Sequence, residues 1–320
     1  MRKDFKLEER IKMLRSLLKK IHLDALNVAT EERKNKNLFY LSGFGGSTGV
    51  LLVTRNKVIL AVDARYTQRA RKESNVSVVE IPPRSKRAYK GHLTEYLAAA
   101  LEKAELPAHA RIGFEGEHVS VSACEVWKKI ILKLLPTRYH IERMRQVKDK
   151  EEIRYLTHAA KMTSTVFDEV NTKIKAGMTE KEVAYLIDMG LRTHGASENS
   201  FPTIVASGQN SAMPHHETGE RKLKAGEPVI LDFGGVFEGG YCSDITRTIF
   251  VRGKKPDQKL LEIYKVVLEA NKKAAKILRE GVMWKDYDAA ARGYIEKEGY
   301  GKYFLHGVGH SVGLEVHDPY

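Results

Sequence analysis

Two aspartates and a late cluster of histidines are the residues of this 320-residue chain whose types and spacing suit chemistry. Asp232 ends the apolar run Val229-Ile230-Leu231, and Asp244 precedes the alternating run from Ile245 to Val251. Four glycines and Glu238 lie between them. This pattern predicts two antiparallel strands joined by a Gly-rich turn, with both carboxylates near the inner ends of neighbouring strands. Carboxylates brought together in a half-buried sheet repel each other and lose hydration. They tolerate this if one keeps its proton or if a divalent cation sits between them. An isolated pair of this kind more often occupies a turn or the surface. The end of the chain alters that balance, because His306, His310 and His317 fall within twelve positions among glycines that permit close approach. Carboxylate oxygens with one imidazole suit Mn, Co, Fe or Zn, and an all-thiolate site is excluded. The histidines do not follow the helical His-Glu-x-x-His spacing of zinc proteases, and the glycines favour a strand or loop. His215 and His216, which follow Pro214, add two further imidazoles.

The elements that must position these residues fall into two groups. A helical period through Leu7, Ile11, Leu14, Leu18 and Ile21 opens the chain. The loop Gly43-Phe-Gly-Gly-Ser-Thr-Gly49 lacks the Gly-Lys-Ser/Thr ending of a phosphate-binding loop and leads instead into a hairpin, Val50–Val53 and Val58–Val62. Strand Val76–Ile81, helix His92–Lys103, strand Arg111–Glu115, helix Ser122–Leu134 and strand Tyr139–Ile141 are expected next, completing an α/β domain over residues 1–142. From Lys150 a long amphipathic helix runs towards Gly177, and Thr179 with Glu182 forms a capping box for the following helix. A strand at Thr203–Ala206, the Asp-bearing hairpin, a helix from Pro256 to about Arg279 and another over Tyr287–Lys297 complete an α+β domain over residues 143–320.

Composition narrows the function classes. The formal charge of +13 is spread along helices and interleaved with Glu, and no aromatic-basic motif accompanies it, so a solvated surface is expected and no specific nucleic acid. Cys124 and Cys242 are too few for a disulfide framework and fit a reducing compartment. A charged N-terminus and the lack of any run of membrane-spanning length predict a cytoplasmic protein without a membrane partner.

Asp232 and Asp244 in Asp-Phe-Gly-Gly…Ser-Asp-Ile-Thr-Arg-Thr, then His306-x-x-Gly-His310 and Gly-Leu-Glu-Val-His317, resemble the pita-bread metallopeptidases. Within that family the chain is similar to aminopeptidase P and prolidase, the Xaa-Pro peptidases. The stretches Tyr-Leu-Ser-Gly-Phe-Gly-Gly-Ser and Val-Asp-Ala-Arg-Tyr resemble their N-terminal creatinase-like domain, and the segment from Arg145 to Ile153 resembles the entry to the catalytic domain. The resemblance implies hydrolysis of Xaa-Pro bonds by a hydroxide shared between two divalent metals, Mn or Co, with Zn or Fe as alternatives. It further implies a peptide substrate with proline second and a homodimer. It makes Asp232, Asp244 and His310 metal ligands, with Asp244 bridging. His215, seventeen positions before Asp232, and His317, seven after His310, become the histidines that bind substrate and stabilise the tetrahedral intermediate. His306 becomes a pocket-lining position.

Two departures from the family pattern stand out. The Asp232–Asp244 spacing is one residue longer, through an extra glycine at Gly239-Gly240, which a longer turn can absorb. The family's two glutamate ligands have no counterpart before Tyr320, so a pita-bread domain lacking its last strands and an impaired enzyme are expected. Charge counting agrees: two divalent cations face only Asp232, Asp244 and a bridging hydroxide. A non-catalytic pita-bread binding protein is the rival that these absences favour. Methionine aminopeptidase is disfavoured by the N-terminal domain, and metal-free creatinase by the coexistence of Asp232, Asp244 and His310.

Overall fold

The computed structural model describes residues 4–31, 35–81 and 93–319. The chain divides into two compact units, Met1–Arg145 and Gln146–Tyr320.

The first unit runs α1 (Asp4–Lys20), β1 (Ala25–Glu31), α2 (Lys36–Ser42), β2 (Thr48–Thr54), β3 (Val58–Asp63), α3 (Thr67–Glu73), β4 (Ser77–Ile81), α4 (Thr94–Ala104), β5 (Arg111–Glu115), α5 (Val121–Trp127), β6 (Lys133–Thr137) and α6 (His140–Gln146). Its six strands form one mixed sheet in the order β4-β3-β2-β1-β5-β6. The β2–β3 hairpin has the expected register, Val53 opposite Val58. On one face Leu97 and Ala100 of α4 pack with Val50, Leu52, Ile59 and Ala61, all fully buried. Each of the larger ones, Leu97, Val50, Leu52 and Ile59, contributes about 1.5–3 kcal/mol by leaving water.

One strand is unannounced and two expectations change here. β1 is the central partner of both β2 and β5, yet the sequence pattern does not announce it. A strand covered on both faces reads as a continuous apolar run, and buried Asn27 interrupts even that. The helix from Ser122 stops at Trp127 instead of reaching Leu134, and Lys133–Thr137 forms β6. Pro136 sits comfortably there because β6 is an edge strand. Tyr139–Ile141 is not a strand: Tyr139 takes φ +55° and α6 follows at once. His92, the expected start of α4, lies outside the described residues.

The second unit opens with α7 (Lys150–Lys173), closed into a capping box by Asp149 and Glu152. Next come α8 (Glu180–Thr193), with the predicted Thr179–Glu182 box, β7 (Glu198–Asn199), β8 (Ile204–Ser207), β9 (Pro228–Phe233), β10 (Gly235–Val236) and β11 (Ile245–Phe250). α9 (Gln258–Ile277) and α10 (Trp284–Lys297) pack on each other through Val266, Ala270, Ala274, Ala291 and Ile295. The core beneath the site joins Val166 and Val170 of α7, Val183, Ile187 and Leu191 of α8, and Val229, Leu231 and Phe233 of β9.

The sheet that matters is antiparallel, β11-β9-β8. β9 alternates, so Val229, Leu231 and Phe233 enter the core while Ile230 and Asp232 emerge on the opposite face. Between β9 and β11 the chain leaves the sheet, pairs β10 with β7 and turns through Gly239 and Gly240, both at positive φ. The longer turn leaves the pairing of the two strands intact. Gly234 is required for a different reason: a Cβ there would fall 1.9 Å from the Ser243 carbonyl oxygen.

Candidate metal centre

Asp232 is flanked across the sheet by Ile204 of β8 and Thr246 of β11. Asp244 immediately precedes β11, two residues from Thr246, so period-2 alternation sets both carboxylates on the face away from the core. The Thr246 hydroxyl donates to Asp232 Oδ1 at 2.7 Å. Both aspartates are half-buried. Burial pushes the Asp232 carboxyl above its ordinary range, opposed by the Thr246 hydrogen bond and by His310 and His215. Burial also raises Asp244, and the charge of Asp232 adds to it, against His310 and His317.

The histidine loop is brought to Asp244 by the residues just before it. The backbone N–H of Cys242 donates to the Gly313 carbonyl at 2.8 Å, and its thiol donates to the Leu314 carbonyl at 3.6 Å. Ser311 and Asp318 form a bridge that closes the loop, and Lys148 donates to Asp318 Oδ2 at 2.7 Å from a nearly buried position. Gly313 allows this closure, since a Cβ there would meet the Asp318 carboxylate at 2.4 Å.

His310 Nε2 then lies 3.3 Å from Asp244 Oδ2. Its Nδ1 faces the Ser311 carbonyl at 3.0 Å, a bond that needs the proton on Nδ1. In its neutral form the ring turns an Nε2 lone pair toward a carboxylate oxygen. Two acceptors at that distance require a proton or a cation between them. A divalent ion meets the requirement, and two carboxylates with one imidazole are donors it accepts. His317 packs against His310, ring centroids 4.0 Å apart. His215 is exposed on the loop between β8 and β9, near enough to oppose the rise of the Asp232 carboxyl. His306 turns its Nδ1 to the Gly307 carbonyl and packs its ring against Phe304.

Sequence reasoning missed two groups. Glu180 of α8 is fully buried and bonded to His216, a link between segments 36 residues apart that no local pattern signals. In the first unit, Glu115, His118 and Glu142 are the one group among the described residues whose three potential ligand atoms all lie within 4.8 Å of one another. Protein donors already occupy its carboxylates: Asn35 and Asn37 donate to Glu115, and Asn37 and His118 bond Glu142. Burial lifts Glu115 to about 7; burial also acts on Glu142, but its bonds to His118 and Asn37 prevail and hold it down to about 2.

Comparison with known proteins decides the family. Residues 154–320 match metallopeptidase family M24, and residues 10–147 match the creatinase/prolidase N-terminal domain. The chain belongs to metallopeptidase family M24. It is 33% identical over 315 residues to an Xaa-Pro dipeptidase of Pyrococcus horikoshii, covering 98% of this chain and 83% of that protein. It is also 33% identical over 313 residues to a putative Xaa-Pro aminopeptidase of Mycoplasma genitalium, with 98% and 83% covered. Among solved structures it resembles an Xaa-Pro dipeptidase from Bacillus anthracis, with TM-score 0.87, 32% identity, and 98% and 83% of the two chains covered. An X-Pro aminopeptidase from Thermotoga maritima gives TM-score 0.85 at 33% identity, with 96% and 83% covered. The first unit is thus a creatinase N-terminal domain and the second an M24 pita-bread domain, as the motifs implied. M24 membership makes the chain a peptidase and implies divalent metal ions.

Proposed function

We propose that this M24 peptidase hydrolyses the bond before a proline in the second position of a peptide, using divalent metal held by Asp232, Asp244 and His310. The observation that carries the proposal is the 3.3 Å approach of His310 Nε2 to Asp244 Oδ2, with Asp232 on the same sheet face. The similarity to Xaa-Pro dipeptidases and aminopeptidases supports the proline specificity. A divalent ion held by these residues would supply a nucleophilic hydroxide at neutral pH and would polarise the scissile carbonyl.

The protein's own residues do the rest. Thr246 ties down one oxygen of Asp232, which leaves the other to bind. The Ser311 carbonyl holds His310 in the tautomer with a free Nε2 lone pair. His215 and His317 donate N–H bonds to the oxyanion that develops on the scissile carbonyl, and His306 contributes to the substrate pocket. A prolyl nitrogen carries no hydrogen, so recognition must come through the carbonyl and the ring. By charge, Asp232, Asp244 and His310 suit one divalent ion better than two. Mn or Co is the expected metal, a homodimer the expected assembly, and the two cysteines support a cytoplasmic setting.

The test compares an Xaa-Pro peptide with its Xaa-Ala counterpart, in protein stripped of metal and then given Mn or Co. Hydrolysis of the Xaa-Pro peptide should rise with added metal and stop in excess chelator. Turnover unchanged in chelator would remove the metal from the proposal, and equal rates on both peptides would remove the proline specificity.

A further inference from the structure

His215 makes no hydrogen bond of its own among the described residues, so its place depends on the loop that carries it. That loop is gathered on one carboxylate. Glu180 is fully buried, which is rare for a glutamate. Its Oε1 accepts from the Ser207 N–H at 2.8 Å, the Ser207 hydroxyl at 2.7 Å and the Asn210 amide at 2.9 Å. Its Oε2 accepts from His216 Nε2 at 2.8 Å and the Gly219 N–H at 3.1 Å. All five donors come from positions 207–219, and His215 sits within that span next to one of them. Arg221 reinforces the start of the loop, donating to the Ser207 hydroxyl at 2.6 Å while paired with Glu227.

The helix does not need Glu180 for its own ending. Thr179 and Glu182 already complete the capping box of α8. The Glu180 side chain is therefore committed to the loop. Burial opposes its charge, but the bonds from His216, Ser207 and Asn210 prevail and hold the carboxyl down to about 2. It remains an anion throughout the range in which a peptidase works.

We propose that Glu180 is a positioning residue for His215, fixing through His216 and the loop 207–219 where the neighbouring imidazole stands. The consequence for catalysis rests on the reading of His215 as an oxyanion donor. A buried carboxylate with five donors is stiff, and a donor displaced by about 1 Å loses about 10²-fold in rate.

The experiment uses the full chain as wild type, Glu180→Gln, His215→Ala and the double variant. Imidazole 1H–15N spectra and the hydrolysis of an Xaa-Pro peptide are measured on each. Gln keeps the shape of Glu180 but puts an NH2 opposite His216, so His216 should change tautomer and the His215 resonances should move. kcat should fall by about 10²-fold with little change in KM. The double variant should be no slower than His215→Ala, because both changes remove one function. His215 resonances that stay put in Glu180→Gln would overturn the proposal, as would losses that multiply in the double variant. If Glu180→Gln does not fold, His216→Ala removes one of the five donors and should move His215 in the same way; unmoved resonances there overturn the proposal equally. Wild-type turnover in His215→Ala defeats the donor role of His215 instead, and the spectra still decide the role of Glu180.

Discussion

His310 and Asp244 face each other across 3.3 Å, while Ser311 holds the far side of the imidazole ring. A neutral histidine in that tautomer cannot hydrogen-bond a carboxylate. The pair is therefore incomplete without a cation or an extra proton, and the Asp232 carboxylate on the same face raises the electrostatic demand further.

His317 packs on His310 yet is assigned a different task. As an oxyanion donor it matters to turnover more than to metal content. His317→Ala should retain its metal while kcat drops by roughly 10²–10³, the usual loss for one such donor. Metal content by atomic emission and turnover per bound metal separate the two roles. Loss of metal with unchanged per-metal turnover would make His317 a ligand.

Lys148 and Asp318 form a nearly buried ion pair, 2.7 Å apart, that closes the loop carrying both histidines. Lys148→Met leaves the Asp318 carboxylate buried without its cation. The loss should be about 3–5 kcal/mol, typical of breaking a buried pair from one side. Adding Asp318→Asn should restore part of that stability in thermal melts. A double variant no more stable than Lys148→Met would show that the charge is not what the loop depends on.

The depressed Glu180 carboxyl sets an acid limit on stability. Its folded value of about 2 lies below the ordinary 4.5, so the unfolded chain binds the proton more readily. The contribution of Glu180 is fully present above pH 4.5 and is lost as pH falls towards 2. Denaturant midpoints measured across that window should fall more steeply with acid in wild type than in Glu180→Gln. Parallel curves would contradict this account.

Much of the site was legible because its signals are local. The glycines around Asp232 and Asp244 announce a hairpin, and the glycines between His306 and His317 announce a loop that permits close approach. The capping box at Thr179 and the β2–β3 hairpin were readable for the same reason. What escaped depends on tertiary context. β1 is covered on both faces and lacks clean alternation, and Ile130 to Leu134 reads as helix although Lys128 already ends α5. Glu180 looks like any first-turn glutamate until residues 207–219 fold over it. The pairing of Lys148 with Asp318, 170 positions apart, has no sequence signal at all.

The central claim is that Asp232, Asp244 and His310 hold the catalytic metal. Calorimetric titration of Mn or Co into metal-free protein tests it most directly, with Asp244→Asn, His310→Ala and His317→Ala measured beside wild type. Wild type and His317→Ala should bind the ion alike, and Asp244→Asn and His310→Ala should bind it at least about tenfold more weakly, the loss expected on removing one ligand interaction worth ~1.4 kcal/mol or more. Undiminished binding in Asp244→Asn and His310→Ala would contradict the account and put the metal elsewhere in the chain.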